Sequence, residues 1–521
     1  MTHSLIQALH NPAIYDHPVS NITVIETHIS WIILTGDYAY KIKKPVNYGF
    51  LDFSTLTKRH QYCLQELTLN RRLAPDIYLD LIAITGTSAN PSFNGAEEVF
   101  EYAIKMREFP QEAQLDQVLA RGELRPHHMD QLAKKIAEFH NRAEISASMS
   151  PLGSAEAVFL PVQENFDQIR PFSDGYEQTA QLDYLEAWSS DEYSKLRPFF
   201  HQRKEQGHIR NCHGDLHLAN IALVDNELII FDCIEFNEEF RWIDTINDIA
   251  FTTMDLEDRG RGDLAARLIN SYLQYSGDYE GLRVFDFYRS YRALVRAKVA
   301  CLRLHQNNLS KNQIQQIKHQ YRDYTQLAEY YTRVNKSVLY ITHGVSGSGK
   351  SCISQPILEH FGLIRIRSDV ERKRLHGLEE TQTSDGSIYT KEASQRTYDR
   401  LAEQATHVIE AGHSVIIDAT FLKKNERLTF KKLALKLNAA FVILDFHADI
   451  ELIKTWITER RSAGLDASEA TLEVLKQQLT TQEPLSTNEA DAMFSIDTAN
   501  YDAKNKLITL LETFLRQLNK N

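Results

Sequence analysis

The sequence of 521 residues predicts a multidomain protein, an α+β domain of two lobes followed by an α/β domain built on a parallel sheet. Three observations predict this. Residues 22–42 read as a β-rich meander, the chain beyond Leu115 turns mainly helical, and at Ser337 short apolar runs begin to alternate with helix-compatible stretches. The length itself exceeds what one hydrophobic core supports.

Within the first region, ITVIETH, SWIILTG and YAYKIK are β-type pieces separated by short turns, as in an antiparallel meander. A helical stretch from Thr57 to Leu73 follows, and then two further β-type runs, IYLDLIAIT and EVFEYAIKMREF. In MDQLAKKIAEFHNRA, Leu132, Ile136 and Phe139 fall on one face at helical spacing. ISASMSPLGSAEA reads as a loop, and helix-compatible segments then run to about Val334. They are interrupted near 211–236, where IALV and LIIFD bracket Asp225-Asn226 as a hairpin. Beyond Ser337, VLYITH, IRIRSD, SVIIDA and AFVILDFHA are the continuous apolar strands of a sheet covered on both faces. The expected domains are 1–334 and 335–521, and no Gly- or Pro-rich linker separates them, so the two halves are expected to pack together.

An apolar share of 43% and a net charge of −12 describe an ordinary globular chain and disfavour broad binding to nucleic-acid backbones. Five scattered cysteines (Cys63, Cys212, Cys233, Cys301, Cys352) form no CxxC pair, which argues for a reducing compartment and against a zinc site. With no secretory signal and no apolar segment of membrane-spanning length, the cytoplasm is the expected location.

Gly344-Val345-Ser346-Gly347-Ser348-Gly349-Lys350-Ser351 fits GxxxxGK[ST] between an apolar run and a helix-compatible segment. Its backbone N–H groups would curl around the β-phosphate of ATP, Lys350 would bridge the β- and γ-phosphates, and Ser351 would ligate Mg²⁺. Asp369 and Asp418 fall where strands end, the side of a parallel sheet on which ligands bind. Arg460 and Arg461 precede a glycine-containing segment and are candidates to close over transferred phosphates. With RSDVERKR, VIIDATF and the late ERR, residues 337–500 resemble the small P-loop kinases that phosphorylate hydroxyl groups. The resemblance implies Asp369 as the base, Arg372 as a substrate ligand, Asp418 on the metal-binding strand, and Arg460 or Arg461 as the lid arginine.

HGDLHLAN has the form H-G-D-x-x-x-x-N, in which Asp215 would accept a hydroxyl proton and Asn220 would hold a metal ion. Asp232, at the end of LIIFD, supplies a second metal carboxylate. The third β-run carries Lys41 as the candidate for the ATP α- and β-phosphates, with Lys43 on the same face as a competitor, and Glu66 on the next helix as its partner. Over residues 20–310 the assembly resembles aminoglycoside phosphotransferases and related choline or fructosamine kinases, which implies a protein-kinase-like fold acting on small molecules. No GxGxxG loop accompanies it; the turn reads ETHISW. His213 is expected to buttress the loop, with Asp248 supporting it and Asp244 near a helix start, both on one helix face. Arg289, Arg292 and Arg296 form a helical stripe expected to be solvated or salt-bridged.

Taken together, the order of the two halves resembles the bifunctional aminoglycoside phosphotransferase/ATP-binding proteins. The expected function is ATP·Mg²⁺-dependent phosphoryl transfer in each half to a hydroxyl of a small molecule. Two alternatives fit the same motifs: a P-loop half that regulates the first half, and a P-loop half that acts on nucleic-acid 5′ ends.

Overall fold

In the computed structural model the chain forms two compact units, Met1–Glu164 with Arg197–Asp255, and Asn165–Leu196 with Leu256–Asn521. The structure describes residues 2–518 except 50, 174, 305–308, 381, 385–386, 464–468 and 487, and omits the side chains of 2, 3, 176, 177 and 460–463.

The first unit is built on an antiparallel sheet of β1 (Thr23–Glu26), β2 (Ser30–Leu34), β3 (Tyr38–Lys43), β4 (Tyr78–Thr87), β5 (Asn90–Phe93) and β6 (Val99–Arg107), in the order β1-β2-β3-β6-β4-β5. The meander is present as β1 to β3, and its first turn is held by the Thr27 hydroxyl, which accepts the Ser30 N–H at 2.9 Å, rather than by glycines. β5 was not expected, because NPSF carries a proline; as an edge strand it tolerates one. Alternation along β3 sends Tyr40 and Ile42 into a core with Leu5, Leu9, Ile33 and Ile84. Lys41 and Lys43 therefore face the helix Leu56–Asn70, whose Cys63 and Leu67 pack with Tyr78 and Ile104.

The helix Pro126–Arg142 buries Leu132, Ile136 and Phe139, as their spacing predicts. Beside it lie β7 (Ile209–Asn211), β8 (Ile221–Val224), β9 (Glu227–Ile230) and β10 (Trp242–Asp244); β7 pairs with β10 and β8 with β9. Asp225 and Asn226 join β8 to β9 with φ of 50° and 65°, the mirror-image turn that matches strand twist. Asp244 does not share a helix face with Asp248. It ends β10, grips the buried Arg203, and accepts the Ile246 N–H at 2.9 Å, so the helix Thr245–Asp258 starts after it.

The second unit holds a parallel sheet of β11 (Val338–His343), β12 (Ile364–Arg367), β13 (Val415–Asp418), β14 (Ala440–His447) and β15 (Ala492–Asp497), in the order β12-β13-β11-β14-β15. The first four are the apolar runs of the sequence. β15 escaped notice because this edge strand is largely half-exposed and lacks a continuous apolar run. The helices Gly262–Ser276, Phe285–Arg303 and Lys311–Tyr330 belong to this unit too. The first covers the open edge of β12: the Asn270 carboxamide accepts the Arg365 N–H at 2.7 Å and donates to the Leu363 carbonyl at 2.9 Å, standing in for a missing strand. Of the arginine stripe, Arg289 is bridged to Glu257 at 2.8 Å and lies over the Tyr331 ring, and Arg296 reaches the Tyr324 hydroxyl at 3.4 Å. Among the described residues no helix is long and apolar enough to cross a membrane.

Candidate active sites

In the first unit the chain between β7 and β8 turns at Gly214, where φ is 88° and an added Cβ would lie 2.5 Å from the Phe240 carbonyl oxygen. Only glycine fits there. His213 is buried; its Nδ1 accepts the Asp215 N–H at 3.2 Å and its Nε2 donates to the Phe231 carbonyl at 2.9 Å. Burial pushes its pKa down, so the ring holds the loop in neutral form. The helix Thr245–Asp258 supports the same loop from one stripe. Asp248 accepts the N–H groups of His213 (3.0 Å) and Gly214 (2.9 Å), Thr252 donates to the Leu216 carbonyl (2.6 Å), and Asp255 accepts the Leu218 N–H (2.9 Å). Sequence reasoning found only Asp248; the i, i+4, i+7 spacing of Asp248, Thr252 and Asp255 along one helical stripe was the available signal. Burial opposes the Asp248 charge, but the His140 contact at 3.1 Å and the His213 backbone bond bring its pKa down to about 2.

The H-G-D-x-x-x-x-N loop closes on itself: Asn220 Nδ2 donates to the Asp215 carboxylate at 3.0 Å and to its carbonyl at 2.9 Å. The Phe231 N–H bonds the Asn220 carbonyl at 3.0 Å, which brings Asp232 alongside, its backbone left-handed at φ 62°. Lys41 Nζ lies 2.6 Å from Asp232 Oδ1 and 2.7 Å from Glu66 Oε1. Lys43 takes the other Glu66 oxygen at 2.5 Å and also pairs with Glu235. Of the two lysines, Lys41 therefore touches the metal-candidate carboxylate, while Lys43 is enclosed with its side chain 1% exposed. Burial works against both lysine charges, yet Asp232 and Glu66 hold Lys41 well above the ordinary lysine value. Burial pushes Glu235 up, while the two lysines overcome burial at Glu66 and pull it down. Glu235 was missed by sequence reasoning; two buried lysines on one strand face, set against one glutamate, call for a second carboxylate.

His140, Cys212 and Asp248 also approach one another closely. The Asp248 carboxylate is already committed to the His213 and Gly214 N–H groups and to His140, and burial raises the Cys212 thiol far from thiolate, so the trio reads as structural support.

In the second unit β11 runs into Gly344–Ser351, and the helix Lys350–Phe361 opens at its end. Gly344 has φ 137°, and a Cβ there would meet the Phe446 carbonyl oxygen at 2.3 Å. Lys350 Nζ donates to the Gly344 carbonyl at 2.9 Å and to the Val345 carbonyl at 2.7 Å, folded over its own loop. Ser351 Oγ donates to Asp418 Oδ2 at 2.7 Å, across from the end of β13. The Ser346 N–H donates to Gln478 Oε1 at 2.8 Å. A cavity of about 390 Å³ opens here, and Gly347, Gly349, Lys350, Ser351, Asp369 and Asp418 line it. Arg367, Trp456 and Thr498 line it as well, and no motif spacing pointed to them. Val345 and Ser348 are buried in the loop. Arg372 does not line the cavity; its Nη1 bonds the Ile388 carbonyl at 3.1 Å and Ser394 Oγ at 3.3 Å beneath the Tyr389 ring. The side chains of Arg460 and Arg461 lie outside the described residues, although the helix Ile450–Ala463 that carries them is described.

Both places gather the hard oxygen donors that suit Mg²⁺. Asp232 stands beside Asn220, whose Oδ1 takes no hydrogen bond among the described residues, and Ser351 stands beside Asp418.

The profile of the phosphotransferase enzyme family matches residues 106–285, and that of an AAA domain matches residues 339–485. Uncharacterized proteins of Mycobacterium tuberculosis and Mycobacterium bovis are 31% identical over 459 residues, covering 87% of this chain and 89% of theirs. Among solved structures, an amicoumacin kinase in complex with AMP-PNP and Ca²⁺ is 13% identical, covers 62% of this chain and 93% of its own, and has a TM-score of 0.39. A gluconokinase from Sinorhizobium meliloti is 20% identical, covers 36% of this chain and 97% of its own, and has a TM-score of 0.25. With a phosphotransferase region followed by a P-loop region, and with relatives matched over 87% of the chain, this chain is a kinase and belongs to the family of bifunctional aminoglycoside phosphotransferase/ATP-binding proteins.

Proposed function

We propose that each unit binds ATP with Mg²⁺ and transfers the γ-phosphoryl group to a hydroxyl of a small molecule, with Asp215 and Asp369 as the respective bases. The observation that supports this most is the continuous chain of contacts from Glu66 through Lys41 to Asp232, set beside the Asp215–Asn220 pair. In the first unit Lys41 holds the α- and β-phosphates and Glu66 fixes its position. Asp215 orients the acceptor hydroxyl and takes its proton as the phosphorus–oxygen bond forms. Asn220 and Asp232 would hold the metal, which when bound neutralises charge on the transferred group.

In the second unit the loop N–H groups cradle the β-phosphate, and Lys350 exchanges two loop carbonyls for phosphate oxygens. Ser351 and Asp418 would hold the metal, and Asp369 receives the acceptor proton. The arginines at 460 and 461 are proposed to close over the phosphates, and Arg372 shapes the acceptor side by tethering residues 388–394. A net charge of −12 disfavours a nucleic-acid acceptor. A regulatory reading draws on the Ser346–Gln478 bond, which occupies a phosphate-binding N–H group.

A metabolite-pool phosphorylation screen on wild type, Asp215→Asn and Lys350→Ala tests these readings. The expected result is one set of products lost in each variant. If Lys350→Ala deletes no product and only alters first-unit kinetics, the regulatory reading replaces the second kinase. If both variants leave total ATP turnover unchanged, neither site works as described.

A further inference from the structure

Asp232 holds a left-handed backbone, φ 62°, which is uncommon for a residue that carries a side chain. Strain of this kind persists only where the surroundings over-determine it. Here four consecutive N–H groups, 231 to 234, are all held. Phe231 donates to the Asn220 carbonyl at 3.0 Å and Ile234 to the His213 carbonyl at 3.2 Å, both on the H-G-D loop. Between them, the Asp232 N–H donates to the Tyr78 hydroxyl at 3.2 Å and the Cys233 N–H to Asn70 Oδ1 at 2.8 Å. The catalytic loop thus takes the outer two, and side chains from the helix Leu56–Asn70 and from β4 take the inner two. Asn70 Nδ2 donates to the Glu66 carbonyl at 2.9 Å, which fixes the amide with its oxygen towards Cys233. Asn70 and Tyr78 are 1% and 2% exposed, whereas the Asp232 side chain is 43% exposed. The grips therefore lie behind the backbone, and the carboxylate faces outward. Just beyond the helix, Arg72 donates to the Asn211 carbonyl at 2.7 Å and the Cys212 carbonyl at 3.2 Å, ahead of His213, with its guanidinium over the Phe139 ring.

We propose that residues 66–78 are the positioning element of the first site, in which Glu66 sets the nucleotide lysine while Asn70 and Tyr78 set the aim of the Asp232 carboxylate at the metal. The proposal rests on the kinase reading of the first unit given above. Glu66 and Asn70 lie one helical turn apart, so the lysine and the carboxylate are referred to the same rigid element. Lys41 Nζ bonds both Glu66 and Asp232, a contact kept only while those two carboxylates stay at a fixed separation. Arg72 ties the same element to the start of the catalytic loop. Removing the Tyr78 hydroxyl leaves the Asp232 N–H without its acceptor, and the backbone relaxes towards an ordinary conformation that turns the carboxylate away. Asn70 and Tyr78 act through that backbone and are positioning residues, not ligands. Groups that orient a ligating carboxylate from behind set metal affinity.

The test uses the full chain in a Lys350→Ala background, which weakens the second nucleotide site. AMP-PNP binding is measured by calorimetry with Mn²⁺ and again in EDTA, and the ratio of the two affinities gives the gain due to metal. Asp232→Asn, the control, should abolish that gain. Tyr78→Phe keeps the ring and removes only the hydroxyl; it should lower the gain by about tenfold or more while leaving the metal-free affinity unchanged. Asn70→Leu should do the same, and Asn70→Asp, which keeps an acceptor for the Cys233 N–H, should restore part of the gain. In ATP turnover of the same background, Tyr78→Phe should raise the Mg²⁺ concentration for half-maximal rate and leave the KM for ATP at saturating Mg²⁺ unchanged. A Tyr78→Phe variant with a lower Tm and the full metal gain overturns the proposal, because the hydroxyl then supports folding alone. An equal loss of affinity with and without metal overturns it too. If Asp232→Asn leaves the gain intact, the metal reading of Asp232 falls, and the proposal falls with it.

Discussion

The first unit gathers its phosphate-handling groups from far apart, Lys41 meeting Asp232 across 191 positions and Lys43 meeting Glu235 across 192. The second concentrates them in one contiguous stretch, Gly344–Ser351, where the chain contacts its own carbonyls, Asp418 and Gln478. The contrast is one of physical means. The first site is a web of side-chain charges that must balance in a low-dielectric place, so removing one member strands the others. The second is a backbone conformation held by glycines at a helix start, and it tolerates loss of a peripheral side chain.

The largest test of the contrast is chemical. Asp215→Asn is expected to lower first-unit product formation by about 10²–10⁴-fold, and Lys350→Ala to lower second-unit formation by about 10²–10³-fold, each leaving the other product intact; separate product assays read both. Next comes stability. Glu66→Gln leaves two buried lysines short of a carboxylate and should cost ~3 kcal/mol in urea unfolding, whereas Ser346→Ala should change stability by less than ~1 kcal/mol. A small loss at Glu66 would break the distinction between web and loop.

A third effect is set by pH. The Asp248 pKa is depressed from 3.8 to about 2, so its contribution is present above the ordinary value and is lost as pH falls through the folded one. Wild type should exceed Asp248→Asn by roughly 2 kcal/mol near pH 6, and the gap should close as pH falls from about 4 toward 2. Urea unfolding across that range checks it; a constant gap would mean that Asp248 acts by shape alone. The smallest effect concerns the loop. Gln478→Ala frees the Ser346 N–H and should tighten ATP binding to the second unit by no more than about fivefold, the worth of one neutral hydrogen bond. A loosening would assign Gln478 a role in holding the loop open for nucleotide.

How much of each site could be seen in the sequence follows the same contrast. The phosphate loop is a local object, so its spacing, its strand and its helix were all legible before folding. In the first unit the loop from His213 to Asn220 and the hairpin leading to Asp232 were legible for the same reason. The partners of Lys43 were not, because Glu235 has no spacing relation to β3. Nor were Thr252 and Asp255, since a polar residue among several others on a helix does not say which backbone group it will meet. Arg367 carried only the alternation of a strand, and nothing in its spacing says that it lines the cavity beside the phosphate loop.

The sequence by itself determined two α-and-β regions in order, one with an antiparallel meander and one with a parallel sheet, and the two motifs whose geometry is local to a turn. Hydrophobic period and backbone conformation are properties of neighbouring residues, so they survive the loss of everything else. The tertiary structure alone decided that Lys41 meets Asp232 while Lys43 is enclosed with Glu235, and that Asp244 grips the buried Arg203 at the end of β10 instead of sharing a helix face with Asp248. Charge compensation inside a protein depends on distance through space, and only the folded chain sets that distance.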